Sequence, residues 1–447
     1  MNNNNKQSGL KKIGWVLILG VGLVACSDKA TVQASDSFSA AADVHLDEAV
    51  IQQTLEIDKL LATAEAGALG GDTALFTTET ELLDRSGLSE PSAISRMDVS
   101  GQERNAYYGD LHVHTAYSFD GYAFGTLATP YDAYRFAKGE AIKNPAGFNM
   151  QLTRAMDFYA VTDHAVFLGL VKAAADTSNV FSKNQFAEPY HDFNAPDNFG
   201  TDLISRTKRL LAFSGFIPNA IKGISDGSLN RQEVLEVVRS AWADTVDAAD
   251  QFNDPGRFTT FAAYEYTTSS NDMGNLHRNV IFEGTANLPR VPFSRAHSAN
   301  PEDLWGWMDE LRRKGVESLA IPHNSNGSNG EMFKGTDWND NPFDEAYVQQ
   351  RLRNEPIVEI TQIKGTSETH PILSTRDEWA GFEIAPYRVA TGALSNVDGS
   401  YVRQASLKGL TLEQTGIGNP YQFGFIGSSD THSAASQNDE AAFVSKL

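Results

Sequence analysis

The segment YYGDLHVH at residues 107–114 combines a β-like run with two potential metal ligands. Residues Tyr107–Val113 are predicted to form a strand. Side chains two positions apart on an extended segment point to the same face, so His112 and His114 present their imidazoles together. The segment therefore predicts a strand that ends in a histidine pair, and later segments of the chain repeat this arrangement with other ligands.

Short β-like runs alternate with helical runs from Tyr107 onward. The further predicted strands are Phe158–Thr162, Thr259–Tyr266, Arg278–Phe282, Leu319–Pro322, Ile357–Gln362 and Phe423–Ile426. The predicted helices are Tyr131–Lys138, Gln232–Phe252, Pro301–Lys314, Glu345–Asn354 and Tyr401–Leu412. This alternation predicts an α/β domain built around a largely parallel sheet or barrel. Residues 166–255 are too many for a simple connection and predict a helical insertion near the active face.

Nearly every predicted strand ends in, or begins directly after, a potential metal ligand. These ligands comprise six of the ten histidines and three carboxylates: His112, His114, Asp120, His164, Glu265, His277, His323, Asp430 and His432. Taken singly, each has a structural explanation, but barrels gather their active sites at strand ends, and nine such groups together indicate a metal centre. Imidazole and carboxylate suit zinc, manganese or iron, and nine ligands are too many for one tetrahedral ion. We therefore expect two or three divalent transition-metal ions.

The order His-x-His, acid, Asp-His, Glu, His, His, Asp-x-His resembles that of the PHP (polymerase and histidinol phosphatase) superfamily. This resemblance covers the chain from about Tyr107 onward. It implies that the α/β domain is a distorted (β/α)7 barrel with a metal cluster at the C-terminal end of its strands. The segments that flank the ligands resemble, more specifically, the bacterial family labelled domain of unknown function 3604. They lie at residues 108–114, 275–278, 321–324, 363–371 and 425–432.

The superfamily pattern implies a place for each ligand. By this resemblance, the first metal would be held by His112, His114 and Asp430, with Glu265 as its bridge to the second. The second would be completed by His277 and His323, and a third would be held by Asp120, His164 and His432. Asp120 stands where many members have histidine. The chain stops fifteen residues after His432, whereas relatives continue, so we expect either a fragment or a barrel without its last strand and helix.

Basic residues beside the ligands are exceptions in this chain, whose 36 Lys and Arg against 57 Asp and Glu give a formal charge of −21. Arg278 directly follows His277, and Lys364 ends a predicted strand. Both are candidate catalytic residues that would steady an anion, with a surface charge or a salt bridge to Glu368 or Glu359 as the alternative. His370 is a candidate general acid or else a structural residue. The acidity also argues against non-specific nucleic-acid binding, which relies on clustered Lys and Arg.

These features favour a metal-dependent hydrolase, most specifically a phosphoesterase that activates water with a metal cluster and acts on a small anionic substrate. Two alternatives stay open. One is hydrolysis of another bond, in a sulfate ester, phosphonate, amide or lactone. The other is a surface lipoprotein that binds metal or ligand without turnover, although a complete set of ligands argues against it.

The N-terminus carries an export pattern. Three lysines precede an apolar run over residues 13–25, and Cys26, the single cysteine, follows directly. This ending resembles a bacterial lipobox, which implies that Cys26 is acylated and becomes the first residue of an exported lipoprotein held at a membrane, preferentially the outer membrane. We expect a signal peptide at 1–25, a tether and partly ordered helical segment at 26–103 and the metallohydrolase domain at 104–447.

Overall fold

The computed structural model describes residues 74–78, 82, 105–196, 200, 203–388, 391–437, 439 and 443. The expected signal peptide, Cys26 and almost all of the segment 26–103 lie outside these residues, so what the sequence predicts for them stays a prediction. Within the described part of the chain, no helix combines the length and the apolar character needed to cross a membrane.

The strands are short, and all seven predicted strands are found among them. They are β1 Gly109–Asp110, β2 Ile142–Lys143, β3 Asn149–Met150, β4 Phe158–Ala160, β5 Thr259–Phe261, β6 Ala263–Tyr266, β7 Arg278–Phe282, β8 Ser318–Pro322, β9 Ile357–Gln362, β10 Gly365–Thr366 and β11 Gly424–Gly427. Each predicted strand overlaps one of these, and the run over 259–266 is divided at Ala262 into β5 and β6. The two-residue strands β2, β3 and β10 are too short to leave a periodic signal in the sequence.

The strands form several small sheets in a mixed α/β domain. β4 pairs in parallel with β1 and β5, and β9 pairs in parallel with β11 and antiparallel with β10. β7 pairs antiparallel with both β6 and β8, and the connection from β6 to β7 is a loop without a helix. Single parallel bridges join Val113 to Thr431 and His164 to Glu265. No closed barrel is detected among the described residues.

A small apolar cluster joins the larger sheets. Its buried members, Ala160, Ala263, Ile281 and Ile321, come from β4, β6, β7 and β8. Partly buried side chains from the neighbouring strands pack against it: Leu111, Phe261, Leu319, Ile357 and Ile426. Side chains from three sheets therefore share one interior, which holds the ends of their strands close to one another.

Eight α-helices are described, and several of them begin at a capping side chain. They are α1 Phe119–Ala123, α2 Pro130–Ala137, α3 Leu170–Ala175, α4 Leu203–Asp226, α5 Arg231–Phe252, α6 Pro301–Arg313, α7 Glu345–Asn354 and α8 Val402–Gln414. The side chain of Asn300 accepts the amide hydrogen of Glu302 at the start of α6, where Pro301 occupies the first turn. Thr129 and Asp132 form a capping box at the start of α2. The five predicted helices correspond to α2, α5, α6, α7 and α8.

The long stretch between β4 and β5 is helical and supports the site from one side. It contains α3, α4, α5 and two short 3-10 helices, Val180–Lys183 and Gln185–Tyr190. Phe216 of α4 and Trp242 of α5 are buried in the main core. The ring of Phe119 lies 5.7 Å from that of Phe216 and 5.0 Å from that of His164. Phe119 therefore connects the helical stretch to the imidazole of His164.

Candidate metal centre

The nine predicted ligands meet at one edge of the sheets, where the parallel strands end. β7 runs antiparallel to its neighbours, so its ligand His277 precedes the strand and reaches the same edge. The six imidazoles form a continuous series of ring contacts. Their centroid separations range from 4.1 Å between His112 and His323 to 6.3 Å between His164 and His277. Ligands that follow, precede or lie within short strands are therefore gathered from the whole domain at one place.

Glu265 lies at the centre of the imidazoles. It belongs to β6, whose four residues are all buried. Its Oε2 approaches three ring nitrogens, at 3.2 Å for Nε2 of His114, 3.3 Å for Nδ1 of His164 and 3.5 Å for Nε2 of His112. Its Oε1 approaches two more, at 2.6 Å for Nδ1 of His277 and 3.7 Å for Nε2 of His323. One carboxylate is thus shared by five histidines.

Three overlapping groups of these side chains could hold metal ions, because the possible ligand atoms within each group lie within 4.8 Å of one another. The groups are His112–His114–Asp430, His112–Glu265–His323 and His114–Asp120–His164–His432. The first corresponds to the set implied by the resemblance. The second contains His112 in place of His277, which contacts the group through Glu265, and the third contains His114 in addition to the expected residues.

Two further carboxylates, Asp120 and Asp430, bring segments that are distant in the chain into the site. Oδ1 of Asp430 lies 3.2 Å from Nε2 of His114 and 3.3 Å from Nε2 of His112. Oδ2 of Asp120 lies 2.7 Å from Nε2 of His432 and 3.1 Å from Nε2 of His164. The centre therefore spans from Asp120, near its rim, to the fully buried Asp430.

Several ligand atoms are buried without a hydrogen-bond partner in the described part of the chain. They are Nε2 of His112 and of His114, both ring nitrogens of His323 and Oε2 of Glu265. Buried polar atoms are nearly always satisfied, because an unpaired one costs about 1–3 kcal/mol. Divalent ions among these atoms would satisfy them. The combination of imidazole and carboxylate fits zinc, manganese and iron without selecting among them.

Burial and neighbouring charges act in opposite directions on these groups. Burial raises the pKa of Glu265, but His164 and His277 outweigh it and hold that pKa well below its ordinary value. Burial also raises the pKa of Asp120, but His164 and His432 outweigh it and hold that pKa well below its ordinary value. Burial lowers the pKa of His277 to about 4. The two carboxylates are therefore ionised and His277 is neutral at neutral pH, whereas Asp120 and Glu265 outweigh burial at His164 and raise its pKa to about 10, so a metal ion there would displace a proton.

Ser118 and Asp163 support one ring of the histidine pair. Oγ of Ser118 lies 2.8 Å from Nδ1 of His114 and donates to Oδ1 of Asp163 at 2.7 Å. The amide of Thr115 also donates to Asp163, at 2.6 Å. These bonds fix the His114 ring through Nδ1 and leave its Nε2 facing the other ligands.

The other ring of the pair has a partner that sequence reasoning missed. Nδ1 of His112 lies 3.0 Å from Oε2 of Glu359, a buried residue of β9. The sequence carries a signal for it, since Glu359 is the one acid in the run Ile357–Gln362 and a buried strand with a single acid needs a partner for that acid. No local motif, however, indicates that the partner is His112.

Lys364 is the candidate catalytic residue that contacts the ligands. Its Nζ forms an ion pair with Oδ2 of Asp430, and its side chain is partly exposed whereas that of Asp430 is fully buried. Gly365 has φ +101°, which lets the chain turn directly after Lys364 into β10. Burial lowers the pKa of Lys364, but Asp430 and Glu265 outweigh it and raise that pKa, so the amine stays charged.

The structure places the other two candidates in contacts of their own. Arg278 is buried, and its Nε donates to Oε1 of Glu355 at 2.9 Å. Neighbouring side chains of a strand point to opposite faces, so Arg278 diverges from His277. Nδ1 of His370 accepts the amide hydrogen of Ile372 at 3.2 Å. A salt bridge accounts for the burial of Arg278 without a substrate, but its partner is Glu355 and not one of the two expected acids, Glu368 and Glu359.

Comparison with known proteins identifies a family and no activity. A family model described as "Protein of unknown function (DUF3604)" matches residues 101–447, which include the whole candidate metal centre. No curated protein and no solved structure matches the chain.

Proposed function

The chain belongs to the DUF3604 family over residues 101–447, and we propose that it is a metal-dependent hydrolase, most specifically a phosphoesterase. The observation that carries this proposal is the position of Glu265, whose two oxygens lie within 3.7 Å of five imidazole nitrogens. A carboxylate so placed can bridge two ions. Paired divalent ions are the arrangement that many phosphoryl-transfer enzymes use.

The proposal extends to the fold, which we interpret as a distorted (β/α)7 barrel of the PHP type. Two features support this interpretation: an apolar interior shared by three sheets, and the bridges that continue the pairing from β11 to β1 and from β4 to β6. An experimental structure tests it directly. Pairing of β8 with β9 would close the barrel, whereas sheets separated by solvent would contradict it.

Bound divalent ions would supply Lewis acidity toward a phosphoryl oxygen and a more acidic water. The residues of the chain supply the rest of the chemistry. Glu265, Asp120 and Asp430 provide the negative charge that retains cations, while the partly exposed Lys364 provides a positive charge beside Asp430. Because Lys364 is partly exposed, it can turn from Asp430 toward the anionic oxygen of an incoming substrate.

An anionic substrate fits this arrangement better than a neutral one. The chain has a formal charge of −21, so attraction of an anion has to come from local positive charge. Lys364 and the bound ions would provide this positive charge at the exposed edge of the metal centre. A small phosphate ester, with several charged oxygens on one centre, would engage both at once.

The test is a substrate panel with the metal-loaded full chain. Phosphomonoesters, phosphodiesters and sulfate esters are compared, with Asp430→Asn and His112→Gln as inactive controls. We expect hydrolysis of a phosphate ester that both substitutions abolish. Hydrolysis of sulfate esters alone would show that the enzyme is a sulfatase and not a phosphoesterase. Activity that both variants retain would come from a contaminant. A metal-loaded protein that hydrolyses no ester contradicts the proposal.

We also propose that the chain is exported and anchored to a bacterial membrane through acyl groups on Cys26. The support is the order of three lysines, an apolar run and the single cysteine. Expressed with its leader in a bacterium, the parent chain should fractionate with membranes and incorporate labelled fatty acid, whereas Cys26→Ser should do neither. Equal labelling of the two proteins would contradict this.

A further inference from the structure

Glu359 is a buried acid outside the three groups of ligands. It is 1% exposed and lies on β9 on the same face as Ile357, which packs against the apolar cluster between the sheets. Val358, between them, belongs to a separate hydrophobic cluster. Glu359 therefore points into the interior that contains the metal centre.

The carboxylate of Glu359 contacts the outer nitrogen of a ligand. Its Oε2 and Oε1 lie 3.0 Å and 3.3 Å from Nδ1 of His112. The inner nitrogen of the same ring, Nε2, lies 3.3 Å from Oδ1 of Asp430 and 3.5 Å from Oε2 of Glu265. When the Glu359 carboxylate accepts a hydrogen bond from this ring, Nδ1 carries the hydrogen. The lone pair of a neutral ring is then on Nε2, facing the other ligands.

His114 provides a comparison within the same motif. Its Nδ1 meets the hydroxyl of Ser118 at 2.8 Å, and Ser118 in turn donates to Asp163. A hydroxyl fixes the orientation of the ring without bringing a formal charge against it. Both rings of the His-x-His pair are thus contacted at Nδ1, one by a carboxylate and the other by a neutral hydroxyl.

We propose that Glu359 is a positioning residue that orients His112 and strengthens Nε2 as a metal donor. This inference rests on the proposed function, because it needs the metal centre to form. A charged acceptor on Nδ1 makes the opposite nitrogen a stronger ligand. The effect is confined to the two groups that contain His112, and the group His114–Asp120–His164–His432 lies outside it.

The test is a metal titration of the metal-stripped full chain with Co²⁺, read by the visible spectrum of the ion and by competition with a chromophoric chelator. Glu359→Gln keeps the shape of the side chain and removes its charge. We expect one class of sites to bind about 10–100-fold more weakly, with an altered Co²⁺ spectrum, while another class is unchanged. Glu359→Asp should recover part of the affinity, and Glu283→Gln, at an exposed position, should match the parent.

Three outcomes would overturn this role. An unchanged titration means that Glu359 has no influence on the ligands. An equal loss in every class of site, accompanied by a lower free energy of unfolding of the metal-free protein, means that Glu359 only stabilises the fold. A parent chain that binds no metal overturns both this inference and the proposed function. A parent that binds metal and hydrolyses nothing removes the proposed phosphoesterase activity but leaves the role of Glu359 intact.

Discussion

Oδ2 of Asp120 lies 2.7 Å from Nε2 of His432, although 312 residues separate them in the chain. Asp120 belongs to α1, just after the histidine pair, and His432 follows β11. The Val113–Thr431 bridge explains how they meet, because it sets the end of the first strand beside the end of the last. The metal centre therefore assembles only when both ends of the domain are folded together.

Removal of bound ions should destabilise the domain for this reason. Ions that bind the native but not the unfolded chain add about 4 kcal/mol when their concentration is a thousand times the dissociation constant. For a domain of this size, the denaturation temperature should fall by about 5 °C for each ion that chelation removes and should return on adding Zn²⁺. His432→Gln, which lacks one ligand, should show a smaller shift. Equal denaturation temperatures for the chelated and loaded parent would contradict the prediction.

Lys364→Gln should impair turnover of an anionic substrate without emptying the centre. Removal of one preorganised charge near a developing negative charge lowers kcat about 100–1000-fold, and Lys364 is not itself a ligand. Steady-state kinetics and metal content are measured on the same sample. Lys222→Gln, which removes an exposed lysine paired with Asp226, should behave like the parent. Kinetics of Lys364→Gln equal to those of the parent would show that Lys364 only forms an ion pair with Asp430 and does not act on the substrate.

Glu355→Gln should lower the stability of the fold and leave metal content unchanged. Its two oxygens lie 2.9 Å from Nε of Arg278 and 3.1 Å from Nε of Arg351, and all three side chains are buried. Removing one partner of a buried ionic group costs about 3–5 kcal/mol. Glu317→Gln, which removes the charge of an exposed carboxylate paired with the partly buried Arg312, should cost about 0–1 kcal/mol. Denaturant unfolding of the chelated proteins measures both, and equal costs would contradict the assignment of Arg278 to the fold.

The same residue predicts a dependence of stability on pH. Burial raises the pKa of Glu355, but Arg278 and Arg351 outweigh it and hold the pKa below its ordinary value. The folded state therefore favours the carboxylate, and the contribution is complete above the unfolded pKa of about 4.3 and falls as the pH drops below it. The difference in unfolding free energy between the parent and Glu355→Gln should narrow under acid conditions. A constant difference through that range would contradict the prediction.

The sequence could predict much of the site because the rule that builds it is local. A ligand such as His323 follows its strand directly, and the His-x-His spacing places His112 and His114 on one face whatever the rest of the chain does. Helix α6 is similarly predictable, because Asn300 and Pro301 mark its start within two residues. These features depend on neighbours in the chain, so one sequence is enough to find them.

The parts that could not be predicted depend on distant partners. Arg278 and Glu355 are 77 residues apart, and nothing near Arg278 distinguishes a buried ion pair from a substrate contact. Glu359 has the same difficulty, since its partner His112 is 247 residues away. Helix α4 contains Pro218, which interrupts the helical pattern in the sequence, and its packing in the core prevails over that local preference.

The central claim is that one chain holds more than one divalent ion around Glu265. Metal analysis of the purified full chain, loaded with Zn²⁺ and desalted, tests it most directly. The account predicts about two or three ions per folded chain, a marked loss in Glu265→Gln and no loss in the exposed control Glu283→Gln. A folded parent that retains no ion, or a Glu265→Gln protein that retains as many ions as the parent, would contradict it.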